Sequence, residues 1–391
     1  MDRARLTPLR RQYRAALLDD VVPFWMRHSV DRECGGFFTQ LDRTGQVYGT
    51  DKPVWIMGRA TWLYATLYRL VEPRPEWLEL ARHGYEFLTR YCFDPRGKMY
   101  FLVTRDGRPL RMRRYYFSEV FAVLALTALA QVTGDDLIRR RAVGLFQTLV
   151  KALRTPGFIE PKIDPRTRPL KSLSPLMCLL NVADTLRQLD DAPAYERLID
   201  ECAAEILGDF VKDEDGSVLE TVGPHGERLD EPDGRTMNPG HAIECAWFIL
   251  DVARRRGDGA LAQRALRMVD YALERGWDRK YGGLLYFVDV GGRPPTQLEH
   301  DLKLWWPQCE ALVAVLMAWR VTGAEHYARW FERLHDYTFA HFPDPEYGEW
   351  YGYLHRDGTV STPLKGNLWK GPFHIPRALL YCERLLAVAG G

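Results

Sequence analysis

Two kinds of hydrophobic pattern alternate along the chain. Stretches such as WIMGRATWLYATLYRL (55–70), YYFSEVFAVLALTALAQV (115–132), NPGHAIECAWFILDVA (238–253) and LWWPQCEALVAVLMAW (304–319) are apolar almost all round. Others, WLELARHGYEFLTRY (77–91), ALAQRALRMVDYALERG (260–276) and YARWFERLHDYTFAHF (327–342), keep a charged face. A helix apolar on every side has to be enclosed, whereas one with a polar face lies at the surface. The alternation therefore predicts inner helices wrapped by outer ones.

Between these helices fall six eleven-residue segments that begin with Gly and carry β-forming residues, at Gly35, Gly97, Gly157, Gly216, Gly282 and Gly348. Each ends in turn chemistry such as Asp-Arg, Arg-Asp-Gly, Gly-Gly or Pro-His-Gly, and reads as a short strand or hairpin. Their starts lie 62, 60, 59, 66 and 66 residues apart, so six units nearly fill the chain. Units of this length exceed the ~33–47 residues of common open helical solenoids. The pattern predicts an all-α fold, an (α/α)6 barrel of six inner and six outer helices closed on itself, with short β-hairpin loops at one end and residues 1–391 as a single domain.

Composition narrows the function. Lys and Arg number 53 against 52 Asp and Glu, a formal charge of +1, which lacks the imbalance that nucleic-acid or anionic-membrane binders carry. The basic N-terminus, MDRARLTPLRRQYR, leads into no apolar run, and the longest charge-free apolar stretch, Val120 to Gly134, is too short to span a bilayer. Seven scattered cysteines form no CxxC pair, which fits free thiols rather than a disulfide framework. The expectation is a cytoplasmic protein without nucleic-acid or membrane partners.

Counted from each repeat's first Gly, Arg59, Glu119, Asn181, His241, Trp306 and His374 fall at offsets of 22 to 26, near the starts of inner helices. In a closed barrel they converge on one mouth, where helix N-termini suit a polyhydroxylated or anionic ligand. The chain has no GxxxxGK[ST], strand-linked GxGxxG, HExxH or GxSxG. Glu299-His300-Asp301 are adjacent residues that point apart, and no metal site is expected there. Two histidines facing one pocket suit proton abstraction beside a carbonyl, one imidazole removing a proton and the other returning it on the opposite face. Glu244, three residues after His241, is placed to orient that imidazole. The other eight histidines read as structural. Trp305, Trp306, Trp369 and Tyr116 offer flat faces to a sugar ring or pack the barrel.

At these residues the sequence resembles the N-acylglucosamine 2-epimerase family (renin-binding protein-like), a set of (α/α)6-barrel sugar epimerases related to cellobiose 2-epimerases. The resemblance runs through GGFFTQLDRTGQVYGTDKPVW-xx-GR (35–59), RRYYFSE (113–119), TRPLKSLSP (167–175), NPGHAIE (238–244), LEHDLKLWWPQCEA (298–311) and DPEYGEWYGYLHRDG with KGNLWKGPFHIPR (344–377). It implies interconversion of N-acetyl-D-glucosamine and N-acetyl-D-mannosamine through an enediolate, with no metal or redox cofactor. It also implies His241 and His374 as acid/base residues, and Arg59, Glu310 and Arg377 around the sugar, beside the substrate-binding candidates Tyr116, Glu244 and Trp306. A homodimer and ATP as an allosteric activator are implied by family alone; Lys162, Arg168 and Lys171 form a basic stretch that could meet phosphates. Departures from the pattern leave other readings open. Ser174-Pro-Leu-Met-Cys178 stands where cellobiose 2-epimerases, as the resemblance has it, carry a further histidine. The alternatives are an epimerase or aldose–ketose isomerase acting on mannose, glucose or cellobiose, an inverting glycosidase using Glu220, Glu244 or Glu310, and a binding protein without catalysis.

Overall fold

The computed structural model describes residues 3–113, 116–155, 157–158 and 163–387 of the chain. It opens with helix α1 (Arg3–Ala15), a π-helical turn (Ala16–Val21) and α2 (Val22–His28). Inner and outer helices then alternate: α3 (Val54–Leu70), α4 (Pro75–Tyr91), α5 (Phe117–Thr133), α6 (Asp136–Arg154), α7 (Leu173–Leu186) and α8 (Pro193–Glu205). A single-turn helix, α9 (Pro232–Arg235), precedes α10 (Pro239–Arg256), α11 (Gly259–Gly276), α12 (Trp305–Thr322), α13 (Glu325–His341) and α14 (His374–Ala387).

The two hydrophobic patterns sort these helices as expected. Every residue of α12 from Trp305 to Ala318 is buried, whereas α4 buries only the stripe Trp77, Leu80, Ala81, Gly84, Phe87 and Leu88. The inner helices pack in the order α3, α5, α7, α10, α12, α14. The ring closes where Trp62 of α3 meets Phe373, just ahead of α14, edge to face at 5.1 Å, and where Trp55 Nε1 donates to the Leu368 carbonyl. This is the (α/α)6 barrel. Its sixth outer helix comes from the opposite end of the chain: α1 packs on α14, with Arg10 paired to Glu383 at 2.8 Å. Close approach is built in at Gly58, where a Cβ would stand 2.7 Å from the backbone carbonyl of Phe121 on α5.

Short strands stitch the repeats together at one end. Lys52–Pro53, immediately before α3, pairs antiparallel with Leu102–Val103 of the second repeat, which pairs in turn with Pro109–Arg111. Lys303–Leu304, immediately before α12, pairs in the same way with Tyr353–Leu354 and then Val360–Thr362. Three of these junctions carry one charge motif. A buried Asp accepts from a fully buried Lys of its own repeat and from an Arg in the turn of the next repeat: Asp31 with Lys52 (2.9 Å) and Arg105 (2.9 Å), Asp278 with Lys303 (3.0 Å) and Arg356 (2.8 Å), and Asp344 with Lys365 (2.9 Å) and Arg43 (2.9 Å). The last of these joins the sixth repeat to the first. Arg43, Arg105 and Arg356 occupy the DRTG, TRDG and HRDG turns, whose sequence announces only the turn.

Burial pulls the Asp344 carboxyl upward, but hydrogen bonds from Arg43 and Lys365 outweigh it and hold the group well below the usual carboxylate range. A carboxyl depressed in the folded state contributes stability in full above its unfolded pKa of about 3.9 and loses it progressively as pH falls from there through the lower folded value. Asp344→Ala strands a buried ammonium, and a loss of about 3–5 kcal/mol is expected in denaturant unfolding at neutral pH. The loss relative to wild type shrinks below about pH 4; a deficit independent of pH would contradict the charge assignment. Arg43→Ala, at a half-exposed side chain, costs less.

Candidate active site

The starts of the inner helices open onto a cavity of about 520 Å³. Helix α10 begins at Pro239, a residue suited to the first turn, and is capped by Asn238, whose Oδ1 accepts the His241 N–H at 3.0 Å. This cap sets the backbone of His241, and its ring is set by Glu220, whose two carboxylate oxygens each lie 3.0 Å from Nδ1. His374 opens α14, and its Nδ1 lies 2.7 Å from Glu310 Oε1 on α12. In both rings the carboxylate takes Nδ1 and leaves Nε2 for the cavity. The indole of Trp306 lies against both, its ring centroid 5.0 Å from that of His241 and 5.7 Å from that of His374. Gly240 makes room for this indole, since a Cβ there would fall 2.5 Å from the ring.

The two imidazoles sit in opposite fields. Burial depresses the pKa of His241, but the charge and hydrogen bond of Glu220 outweigh it, and the net shift is upward. At His374, burial together with the cations of Arg59 and Arg377 pushes the pKa well below its ordinary value. The charge of Glu310 is already engaged, since its Oε1 takes Arg377 Nη2 at 2.7 Å and its Oε2 accepts from Trp247 Nε1 at 2.9 Å. Arg377 also binds Glu244, and these two carboxylates hold it protonated against burial. Arg59 lies among the rings of Phe121, Trp55 and Phe373, 4.0 to 4.7 Å from their centroids, with its buried Nε unpartnered. Burial brings its pKa down to about 9, leaving it charged at neutral pH.

Glu244, Glu310 and His374 are, among the described residues, the group whose donor atoms come within 4.8 Å of one another, close enough to hold a metal ion. The same atoms face Arg377 Nη2, which bonds Oε1 of both carboxylates and lies 3.4 Å from His374 Nδ1. This donor set is matched to a guanidinium.

Of the residues singled out from the sequence, Arg59, Asn181, His241, Glu244, Trp306, His374 and Arg377 line the cavity, with Trp305 and Trp369. Glu310 is fully buried and acts on the cavity through His374 and Arg377. Tyr116 is buried, and its hydroxyl lies 2.9 Å from Ser174 Oγ, outside the lining. Glu119 turns away as well: it accepts the Met99 N–H at 3.0 Å and fixes the adjoining hairpin. The carboxylate expected to orient His241 was Glu244; the structure uses Glu220, because Glu244 is drawn to Arg377. Asn181 lies eight residues into α7, about 12 Å below its start at 1.5 Å per residue, and so belongs to the depth of the cavity rather than its rim. Of the basic stretch, Lys162 lies outside the described residues, Arg168 is paired with Glu231 at 2.7 Å, and Lys171 is held by Glu205 and Asp209. No helix among the described residues is long and apolar enough to cross a membrane.

Residues 36–375 match the N-acylglucosamine 2-epimerase (GlcNAc 2-epimerase) family. The chain is 44% identical over 378 residues to the N-acylglucosamine 2-epimerase of Bos taurus, covering 94% of this chain and 89% of that protein. Its identity to the Homo sapiens N-acylglucosamine 2-epimerase is 41% over 380 residues, covering 94% and 88%. The solved cellobiose 2-epimerase of Bacillus thermoamylovorans shares the fold, with a TM-score of 0.85 at 22% identity over 97% of this chain and 99% of that one. On the family match and these identities, the chain belongs to the N-acylglucosamine 2-epimerase family.

Proposed function

We propose that this enzyme interconverts N-acetylglucosamine and N-acetylmannosamine by passing the C2 proton between His241 and His374. The observation that carries the proposal is the pair of imidazoles, each tied at Nδ1 to a carboxylate, with pKa values shifted in opposite directions by their surroundings. The sugar reacts in its open-chain form, where the C1 carbonyl acidifies the C2–H. His374, neutral, takes the proton through Nε2 from one face. The electron pair moves into the C1–C2 bond, the carbonyl oxygen becomes the oxyanion of a 2-acetamido enolate, and the cations Arg59 and Arg377 stabilise its charge. His241, protonated, returns a proton to C2 from the other face. The opposite direction exchanges the roles. Trp306, against both rings, supports the carbon chain between them.

Proton NMR of N-acetylmannosamine in D2O with the purified protein tests this directly. N-acetylglucosamine carrying deuterium at C2 is expected. Turnover of mannose, glucose or cellobiose with neither N-acetyl sugar reacting would reassign the substrate. His374→Asn and His241→Asn are each expected to slow interconversion by about 10²–10⁴-fold, the usual contribution of a positioned acid or base. His241→Asn should still exchange the C2 proton of the one epimer that His374 faces; wild-type interconversion in either variant would eliminate the two-base scheme.

The pKa directions also predict a pH profile. His374 must be deprotonated, which sets an acid limb below its ordinary value of about 6.5, and His241 must be protonated, which sets an alkaline limb above it. Both reaction directions use the pair with one proton, so kcat/KM should be bell-shaped over one shared window. Glu220→Gln removes the charge that raises His241, and the alkaline limb should move to lower pH while the acid limb stays. Movement of the acid limb instead would mean that Glu220 does not act through His241.

A further inference from the structure

The inner-helix ring divides the cavity into two halves of different chemistry. Helices α10, α12 and α14 supply His241, Glu244, Trp306, His374 and Arg377, α3 adds Arg59, and α5 and α7, across the ring from α12 and α14 respectively, supply Val120, Leu124, Met177, Cys178 and Asn181 among others. No acid, base or cation lines the cavity from α5 or α7. Asn181 is the polar exception: it lines the cavity, and the one hydrogen bond it makes among the described residues beyond the helix's own backbone ladder is through its backbone carbonyl, which accepts from Thr185. A carboxamide presents a donor and an acceptor side by side. Its complement is another amide, whose N–H meets Oδ1 and whose C=O meets Nδ2.

From this placement we infer that Asn181, with Val120, Leu124, Met177 and Cys178, forms the pocket that selects the N-acyl group of the substrate. The inference rests on the proposed C2 epimerisation and extends it. With C2 between the two histidines and the carbon chain along Trp306, the substituent on C2 is the group carried toward the opposite wall. There an acetamide pairs with Asn181 and lays its methyl on the four apolar side chains. The Cys178 thiol adds no charge, since burial pushes its pKa up to about 12. A free 2-hydroxyl in the same place leaves the carboxamide unmatched and the apolar wall uncovered, which gives the site a reason to prefer acylated sugars.

The test measures kcat/KM for N-acetylmannosamine and N-butanoylmannosamine with wild type, Asn181→Ala and Met177→Ala. Asn181→Ala is expected to lower kcat/KM for N-acetylmannosamine by about 10–100-fold, the range for losing a paired polar contact in a closed site, while the alkaline and acid limbs of its pH profile stay in place. Met177→Ala enlarges the apolar wall and is expected to raise the ratio of N-butanoyl to N-acetyl turnover at least about tenfold, within the range that buried methylenes command. That ratio is internal to one protein and is insensitive to how much of it is folded. An unchanged ratio in Met177→Ala, or an unchanged kcat/KM in Asn181→Ala, overturns the acyl pocket while the epimerase reading stands. A wild-type enzyme inactive on N-acetylmannosamine overturns the epimerase reading itself.

Discussion

The site depends on one buried carboxylate. Glu310 has no solvent exposure, and an ionised carboxylate in such a place needs a cation and several donors. It receives them from two inner helices, Trp247 from α10 and His374 and Arg377 from α14, while it stands on a third, α12. Arg377 in turn carries Glu244 of α10. The network ties three consecutive staves of the barrel around a single charge balance. Removing any member leaves another buried group uncompensated, so the rigidity of the reaction centre and the packing of half the barrel are held by the same atoms.

That balance also explains how one fold gives two histidines opposite characters. Both rings bond a carboxylate through Nδ1, so the immediate partner does not distinguish them. What differs is the next layer. Glu220 lies at a partly exposed position, and its charge acts on His241 with no cation set against it at that contact. Glu310 is shared with Arg377, and Arg59 adds a second cation near His374, so the field there disfavours an imidazolium. The opposite pKa shifts of the two imidazoles therefore follow from where the arginines stand rather than from the histidines themselves.

The parts of this arrangement that were legible from sequence are those in which a residue contradicts its local pattern. His241 and His374 stand out as polar residues at the heads of apolar helices, and Arg59 stands out inside one. Glu220 gave no such signal: it ends an ordinary strand-like segment, GSVLE, and only the three-dimensional turn brings it to the imidazole. Glu244 looked like the orienting carboxylate because helical spacing sees its own helix, and Arg377, on another helix, was invisible to that argument. Asn181 was misplaced for a related reason. Counting from each repeat's glycine assumes junctions of equal length, yet α7 begins 16 residues after Gly157 and α14 begins 26 after Gly348. The longer junction holds the Lys365–Phe373 segment that closes the barrel.

That closing segment shows why stability and chemistry are hard to separate here. Lys365 and Lys370 are both fully buried within nine residues of His374, the first paired with Asp344 and the second with Glu349, whose other carboxylate oxygen accepts from Trp25 of α2. Glu349 stands where the first and fifth repeats have a second glycine, and it adopts a left-handed backbone with φ of 56°. A residue with a side chain is uncommon in that conformation, and here the side chain is needed to neutralise Lys370. The charges that lock the sixth repeat to the first thus fix the point at which α14 begins. Because α14 begins with His374, the constraint that closes the ring is the one that sets this imidazole at the wall of the cavity.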